Sequence, residues 1–302
     1  AGTPTMGGLL IIFSILVPTL LWGDLTNIYL WIAMGSLLLF GLVGFLDDYL
    51  KVIRKQSQGL RGNQKILLQL MVSSAIAVTL VVLSQYGLYS TRLSVPFFKN
   101  FTPELNGVIF GVATFLPLIL FTLLVLIATS NAVNLSDGLD GLATGLTLIA
   151  ASALSVLTYI TGHAQFAEYL DLIKNPYAAE LTIFCGAMVG ATLGFLWHNA
   201  YPAQIFMGDV GSISLGGAIG TVAVLIKQEL LLLSIGGIFV VEALSVIVQV
   251  ASFKLTGKRL LRMAPIHHHF ELMGWKEPKV VIRFWILGLV VALFSLSTLK
   301  LR

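Results

Sequence analysis

Long apolar runs dominate the chain, broken by short polar stretches. A helix that crosses a bilayer needs about 20 mostly apolar residues. Nine segments reach or approach that length: about 7–22, 28–46, 66–84, 108–129, 142–160, 181–197, 210–226, 230–253 and 280–299. The runs are too long, and alternate too little, for the strands of a membrane barrel. The pattern therefore predicts an all-α polytopic helix bundle. The segment 230–253 carries Glu242 and Gln249 in its interior and is expected to tilt, break near Glu242 or leave the membrane early. Glycines at 186, 190 and 194 recur every fourth residue, which allows close helix packing. There is no internal repeat and no low-complexity linker, so residues 1–302 read as one domain.

Composition supports this reading. Hydrophobic residues make up 57% of the chain and charged residues 11%, with a mean hydropathy of +0.93. Soluble domains carry about 25% charged residues, because they need a polar surface. The lipid bilayer is the expected solvent. A net charge of +4 without a basic arm argues against nucleic acid as a partner. The single cysteine, Cys185, lies in an apolar run, which excludes an internal disulfide and a cysteine metal cluster. No basic leader precedes the first run, and that run can act as the insertion signal.

Successive spans alternate in direction, so the loops sort onto two sides. One side holds the N-terminus and loops 47–65, 130–141, 198–209 and 254–279. The other holds 23–27, 85–107, 161–180, 227–229 and the C-terminus. The first set carries twelve lysines and arginines, counting Arg283 just inside the last span, and the second carries six. Basic loops stay in the cytoplasm, so the first set is expected there.

That side also collects the unusual motifs. Asp47 and Asp48 sit together at the end of one run. Adjacent acids repel unless a cation or proton intervenes, and a helix C-terminus disfavours them. They suit either a solvated helix end, softened by Lys51, or a cation site. Asn131, Asn134, Asp137 and Asp140 fall at three-residue spacing in Asn131–Gly141. The two Asp-Gly pairs read as turns, and on a helix the asparagines share a face. Asp209, in Gly208-Asp209-Val210-Gly211-Ser212, leads into a span. It suits an N-cap or a Mg²⁺ ligand beside a phosphate, since Mg²⁺ favours one or two carboxylates plus phosphate oxygens. His267, His268 and His269 are adjacent and point apart on any regular element, which argues against zinc and for donors to substrate oxygens or an interfacial loop. Glu242 lies mid-span, where an ionisable group marks function or pairs with Gln249 or another helix. Carboxylates, amides and basic residues at a lipid boundary suit a metal-bridged diphosphate.

These motifs resemble the polyprenyl-phosphate N-acetylhexosamine-1-phosphate transferase superfamily. Within it, the phospho-N-acetylmuramoyl-pentapeptide transferases are most similar. The resemblance runs from Gly2 to Arg302 and includes Gly2-Thr3-Pro4-Thr5-Met6-Gly7-Gly8, the Asp47-Asp48 pair, segments 131–141 and 199–212, and Met263 to Glu271. The histidine triplet after Ala264-Pro265 is its most specific piece. The resemblance implies that UDP-N-acetylmuramoyl-pentapeptide and undecaprenyl phosphate give lipid I and UMP, with Mg²⁺. It implies Asp47 as base toward the lipid phosphate, Asp48 as its acidic neighbour, and Asp209 as metal ligand, a nucleophilic role for Asp209 being the alternative. Lys51, Asp140, Asn199 and Phe206 match the nucleoside pocket, with Phe206 stacking on uracil. Thr5, Asn131, Asn134 and Asp137 match further substrate positions, and the three histidines match those near sugar or peptide. It further implies the bacterial inner membrane, a cytoplasmic active site and a possible homodimer. The superfamily pattern has ten spans and a lysine shortly before Gly2-Thr3-Pro4, so one span is expected to be missing. Two alternatives stand beside this reading. A sister enzyme would use another UDP-amino sugar. A cation-coupled transporter would place its acids near the bilayer midplane, where only Glu242 fits.

Overall fold

The computed structural model describes residues 3–54, 59–98, 101–109 and 112–301. Twelve α-helices follow one another among them: α1 Gly8–Trp22, α2 Ile28–Arg54, α3 Gly62–Gln85, α4 Leu116–Ser136, α5 Leu142–Gly162, α6 Ala164–Tyr169, α7 Leu181–Asn199, α8 Gly208–Leu225, α9 Glu229–Ile235, α10 Gly237–Thr256, α11 Ile266–Leu272 and α12 Glu277–Thr298. Eight are long and apolar enough to cross a membrane, and α1, at 15 residues, is a shorter apolar helix. The protein is a multi-pass membrane helix bundle, as the pattern of runs predicts.

Helix α8 is the axis of the bundle. Its sequence, GDVGSISLGGAIGTVAVL, is rich in small residues, and from Val210 to Leu225 every residue is buried. Helices α2, α4, α1 and α5 pack around it. The α2 contact is closest at Gly44, which lies directly on the Asp209 backbone; a Cβ there would collide with the Asp209 carbonyl. Small side chains let membrane helices approach to van der Waals contact of their backbones, which is the main attraction available in lipid. Helix α10 is the opposite case. Its buried side chains are Ile238, Phe239, Glu242 and Ser245, and most of the rest faces outward.

Two elements depart from the sequence expectation, and a third, the break expected near Glu242, is found. Residues Gly107–Ile109 and Val112–Thr114 pair as a small antiparallel ladder, so the expected span from 108 starts only at Leu116 and continues to Ser136. Pro117 at the first turn marks that start, since its fixed φ suits the position. Helix α2 does not end at Asp47 but runs on to Arg54. The Asp47 and Asp48 carboxylates therefore sit on a continuing helix face rather than at a helix C-terminus. The run 230–253 divides at Gly236 into α9 and α10, six residues before Glu242.

Candidate active site

The four motifs come together at one end of the bundle. Asp47, Asp48 and Lys51 occupy adjacent turns of α2, because residues three and four apart share a helix face. The Lys51 Nζ lies 2.5 Å from Asp47 Oδ2, 3.3 Å from Asp48 Oδ1 and 3.0 Å from Asp209 Oδ2. A second ammonium, Lys65 in the first turn of α3, reaches the same Asp209 oxygen at 3.0 Å. Asn134, near the end of α4, donates to Asp209 Oδ1 at 2.8 Å and to Ser212 Oγ at 2.9 Å, and its carbonyl accepts from Lys65 at 3.0 Å.

Each acid has a distinct second anchor. Asp47 Oδ1 accepts the Leu60 N–H at 2.8 Å. Asp48 Oδ2 accepts the Val210 N–H at 3.1 Å. That N–H belongs to the first turn of α8, where helical N–H groups lack partners of their own. Asp48 thus caps α8 from another helix, and Asp209 is the second residue of that helix rather than its N-cap. With capping done by Asp48, the Asp209 carboxylate is left to the cluster.

Among the described residues, Asp47, Asp48 and Asp209 form a group whose ligand oxygens lie within 4.8 Å of one another. Three hard oxygen donors at that spacing fit a divalent cation, which prefers carboxylates with phosphate or water completing its shell. Two lysines already converge on these oxygens, so the cluster attracts positive charge from side chains as well.

A cavity of about 580 Å³ opens beside the acids. Thr5, Asp48, Lys51, Asp137, Asp140, Asn199, Phe206, Asp209 and His268 all line it. Phe206 presents a half-exposed ring. Its backbone is fixed by the N-terminal segment, since Phe206 N–H donates to Pro4 O and Gly7 N–H donates to Phe206 O, both at 2.9 Å. Asp140 Oδ2 accepts the Ala203 N–H at 2.9 Å, and its own N–H donates to Glu277 Oε1 at 2.8 Å. Asn199 is buried; it accepts from Thr144 Oγ1 at 2.6 Å and donates to Ile205 O at 2.9 Å. Asp137 follows the last residue of α4. Burial pushes its carboxyl up to about 7, and Asp209 and Asp48 add to the rise. A second cavity of about 380 Å³ lies against Asp47, Lys51, Arg61 and Lys65. Lys51 and the acids beside it stand between the two.

Not every expected residue reaches a cavity wall. Asn131 points one turn deeper, donating to Gln69 Oε1 at 2.8 Å. The histidines diverge, as adjacent residues on a helix must. His268 lines the large cavity and pairs with Glu271 at 2.6 Å. His267 is fully buried behind it and pairs with Glu242 at 3.0 Å. His269 accepts the Arg262 N–H at 3.1 Å, away from the cavity. Of the two expected partners of Glu242, Gln249 binds the backbone of Leu260 and Leu261 instead, and another helix, α11, supplies the partner through His267. Four polar contributors lie outside the candidate residues that the sequence suggests: Lys65, Ser212, Glu271 and Glu277. Lys65 counted only toward the charge of its loop. The signal that marks it is its place on the first turn of α3, facing the same end as the acids.

A membrane helix bundle with converging acids and lysines beside an open cavity suits a transferase acting on phosphate-bearing groups. Residues 30–227 match the family described as glycosyl transferase family 4. More particularly, residues 1–12 match signature 1 of the phospho-N-acetylmuramoyl-pentapeptide-transferases. The chain is 59% identical to the phospho-N-acetylmuramoyl-pentapeptide-transferase of Koribacter versatilis, with all of this chain and 81% of that protein covered. It is 58% identical to that of Solibacter usitatus and 60% identical to that of Acidobacterium capsulatum, each over all of this chain and 82% of the relative. The chain belongs to the phospho-N-acetylmuramoyl-pentapeptide-transferase family.

Proposed function

We infer that the protein transfers phospho-N-acetylmuramoyl-pentapeptide from its UDP carrier to undecaprenyl phosphate, giving lipid I and UMP, on the cytoplasmic face of the bacterial plasma membrane. The observation that carries this reading is Lys51, which touches Asp47, Asp48 and Asp209 at once and borders both cavities. The larger cavity takes the UDP-sugar: Phe206 stacks on the uracil, Asp140 and Asn199 frame the nucleoside, and His268 and Asp137 face the sugar side. The smaller cavity, with Lys51, Arg61 and Lys65 around Asp47, takes the phosphate of the lipid acceptor.

In this arrangement Asp47 removes the remaining proton of the acceptor phosphate. The freed oxygen attacks the sugar-bearing phosphorus of the donor. A new phosphorus–oxygen bond forms to the lipid phosphate, and the bond to the UMP oxygen breaks. Phosphoryl transfer of this sort depends on positioning and on neutralising charge more than on covalent help. Asp48 and Asp209 would hold a Mg²⁺ ion, which would supply that neutralisation at the diphosphate, leaving Asp47 as the base. Lys65 and Asn134 keep Asp209 oriented, and its three polar contacts, from Lys51, Lys65 and Asn134, favour a holding role over attack.

UMP release decides the matter. Purified protein in detergent, given undecaprenyl phosphate and UDP-N-acetylmuramoyl-pentapeptide, is expected to release UMP only with Mg²⁺ present. Release from UDP-N-acetylglucosamine alone would assign the sister activity, and no release from either would overturn the transferase reading.

A further inference from the structure

Glu242 is the only acid of α10, and it is fully buried although most of that helix faces outward. A charged side chain inside a span is costly, about 2.5–3.5 kcal/mol at a helix centre on insertion scales, and Glu242 lies six residues into α10. Its Oε2 lies 3.0 Å from His267 Nδ1, within hydrogen-bond distance, and neither side chain is exposed. Such a pair is no better at joining two helices than well-packed apolar residues. Stability alone therefore does not account for it.

The far edge of the imidazole is more informative. His267 Nε2 has no hydrogen-bond partner, and it packs against Gly138, where a Cβ would collide with this nitrogen. Gly138 belongs to the turn that carries Asp137 and Asp140 into the large cavity, and His268 on the same wall is next in sequence to His267. The contacts thus run from Glu242 to His267, from His267 to the turn, and from the turn to the cavity.

We propose that Glu242 is a positioning residue for the UDP-sugar donor. It grips the His267 ring by Nδ1, and the opposite edge of the ring seats Gly138, with Asp137 beside it, and His268 where the sugar–peptide half of the donor binds. This rests on the transfer reaction inferred above. The uridine end of the cavity has further anchors of its own, Asp140 accepting the Ala203 N–H and Asn199 donating to Ile205 O.

The test compares wild type, Glu242→Gln, His267→Asn and the double variant, in detergent, with both substrates. Glutamine keeps an acceptor near Nδ1, and asparagine at 267 keeps a donor toward Glu242 while deleting Nε2. Each single variant is expected to lower kcat/KM for the donor by about tenfold or more, chiefly through KM, as supporting shells around a site typically do. The acceptor KM and inhibition by UMP stay at wild-type values, and the double variant is no worse than the poorer single. Losses that fall on kcat alone, in proportion to the folded fraction seen by size exclusion and thermal unfolding, would overturn the proposal. So would losses that multiply in the double variant. Unaffected variants beside an active wild type sink this inference only, whereas a wild type that releases no UMP sinks the reaction and this inference together.

Discussion

Two ends of the bundle carry buried charge, and they are built differently. At one end three acids face two lysines beside open cavities. At the other, Lys227 and Glu229 stand 2.8 Å apart, with side chains only 1% exposed. There Lys227 also donates to the Tyr89 hydroxyl at 3.0 Å. Nearby, Tyr29 donates to Leu88 O and accepts from Asn175, each at 2.9 Å. Burial pulls the Lys227 ammonium down, but Glu229 and Tyr89 more than offset this and hold it above the ordinary lysine range. The second cluster is balanced and sealed. The first is acid-rich and open. Balance with closure makes a clamp between segments, whereas surplus charge with access makes a place for a charged ligand.

That contrast is breakable by mutation, and the largest effect is expected at the sealed end. Lys227→Met leaves Glu229 buried and alone, which should cost about 3–5 kcal/mol of stability. Thermal unfolding in detergent would show it, while turnover per folded molecule stays near wild type. A large loss of turnover in fully folded Lys227→Met protein would mean that this end also serves the reaction. At the open end, Asp209→Asn should lower kcat by about 100-fold or more, some 2.7 kcal/mol of transition-state stabilisation, with folding preserved. Near-normal turnover with unchanged Mg²⁺ dependence would remove Asp209 from the metal site. Lys65→Ala should lower kcat/KM by about tenfold, since Asp209 keeps Lys51 and Asn134; wild-type kinetics would limit Lys65 to a bystander.

The smallest effect concerns pH. Asp137 is pushed up to about 7 in the folded protein, against about 3.9 for an ordinary aspartate. The folded state therefore holds more protons between those values, and stability falls as pH rises through that window. Asp137→Asn removes this loss. In chelator, the variant should melt about 2 °C or more above wild type at pH 8, with the gap closing toward pH 4. An equal gap at both pH values would show that Asp137 carries no such proton.

Much of this site was legible in the sequence, and for a simple reason. Once the spans alternate, Asp47, Asp48, Asn134, Asp137, Asp140 and Asp209 must share one end, and they do. What stayed hidden depends on contacts between distant segments. His267 and His268 are neighbours of equal chemistry, and only the position of Glu242, 25 residues away, separates a buried support from a cavity wall. The exit of α2 was hidden because Asp47, Asp48 and Lys51 look like a loop when their charges are counted singly. As pairs three and four apart, they instead support helix out to Arg54. The ladder at 107–114 was hidden because a short apolar run does not distinguish strand from the start of a helix.

The backbone contact between Gly44 and Asp209 has a consequence for the lipid environment. Bilayers differ in thickness, and membrane helices answer by tilting. Helices with broad lipid-facing surfaces, such as α10, feel this most directly. The spacing of Asp48 from Asp209 is set elsewhere, by the main chains of α2 and α8 touching inside the bundle at the site's own end, with no flexible side chain between them. Changes in membrane composition can therefore reshape the rim of this protein while the distance between its acids is conserved.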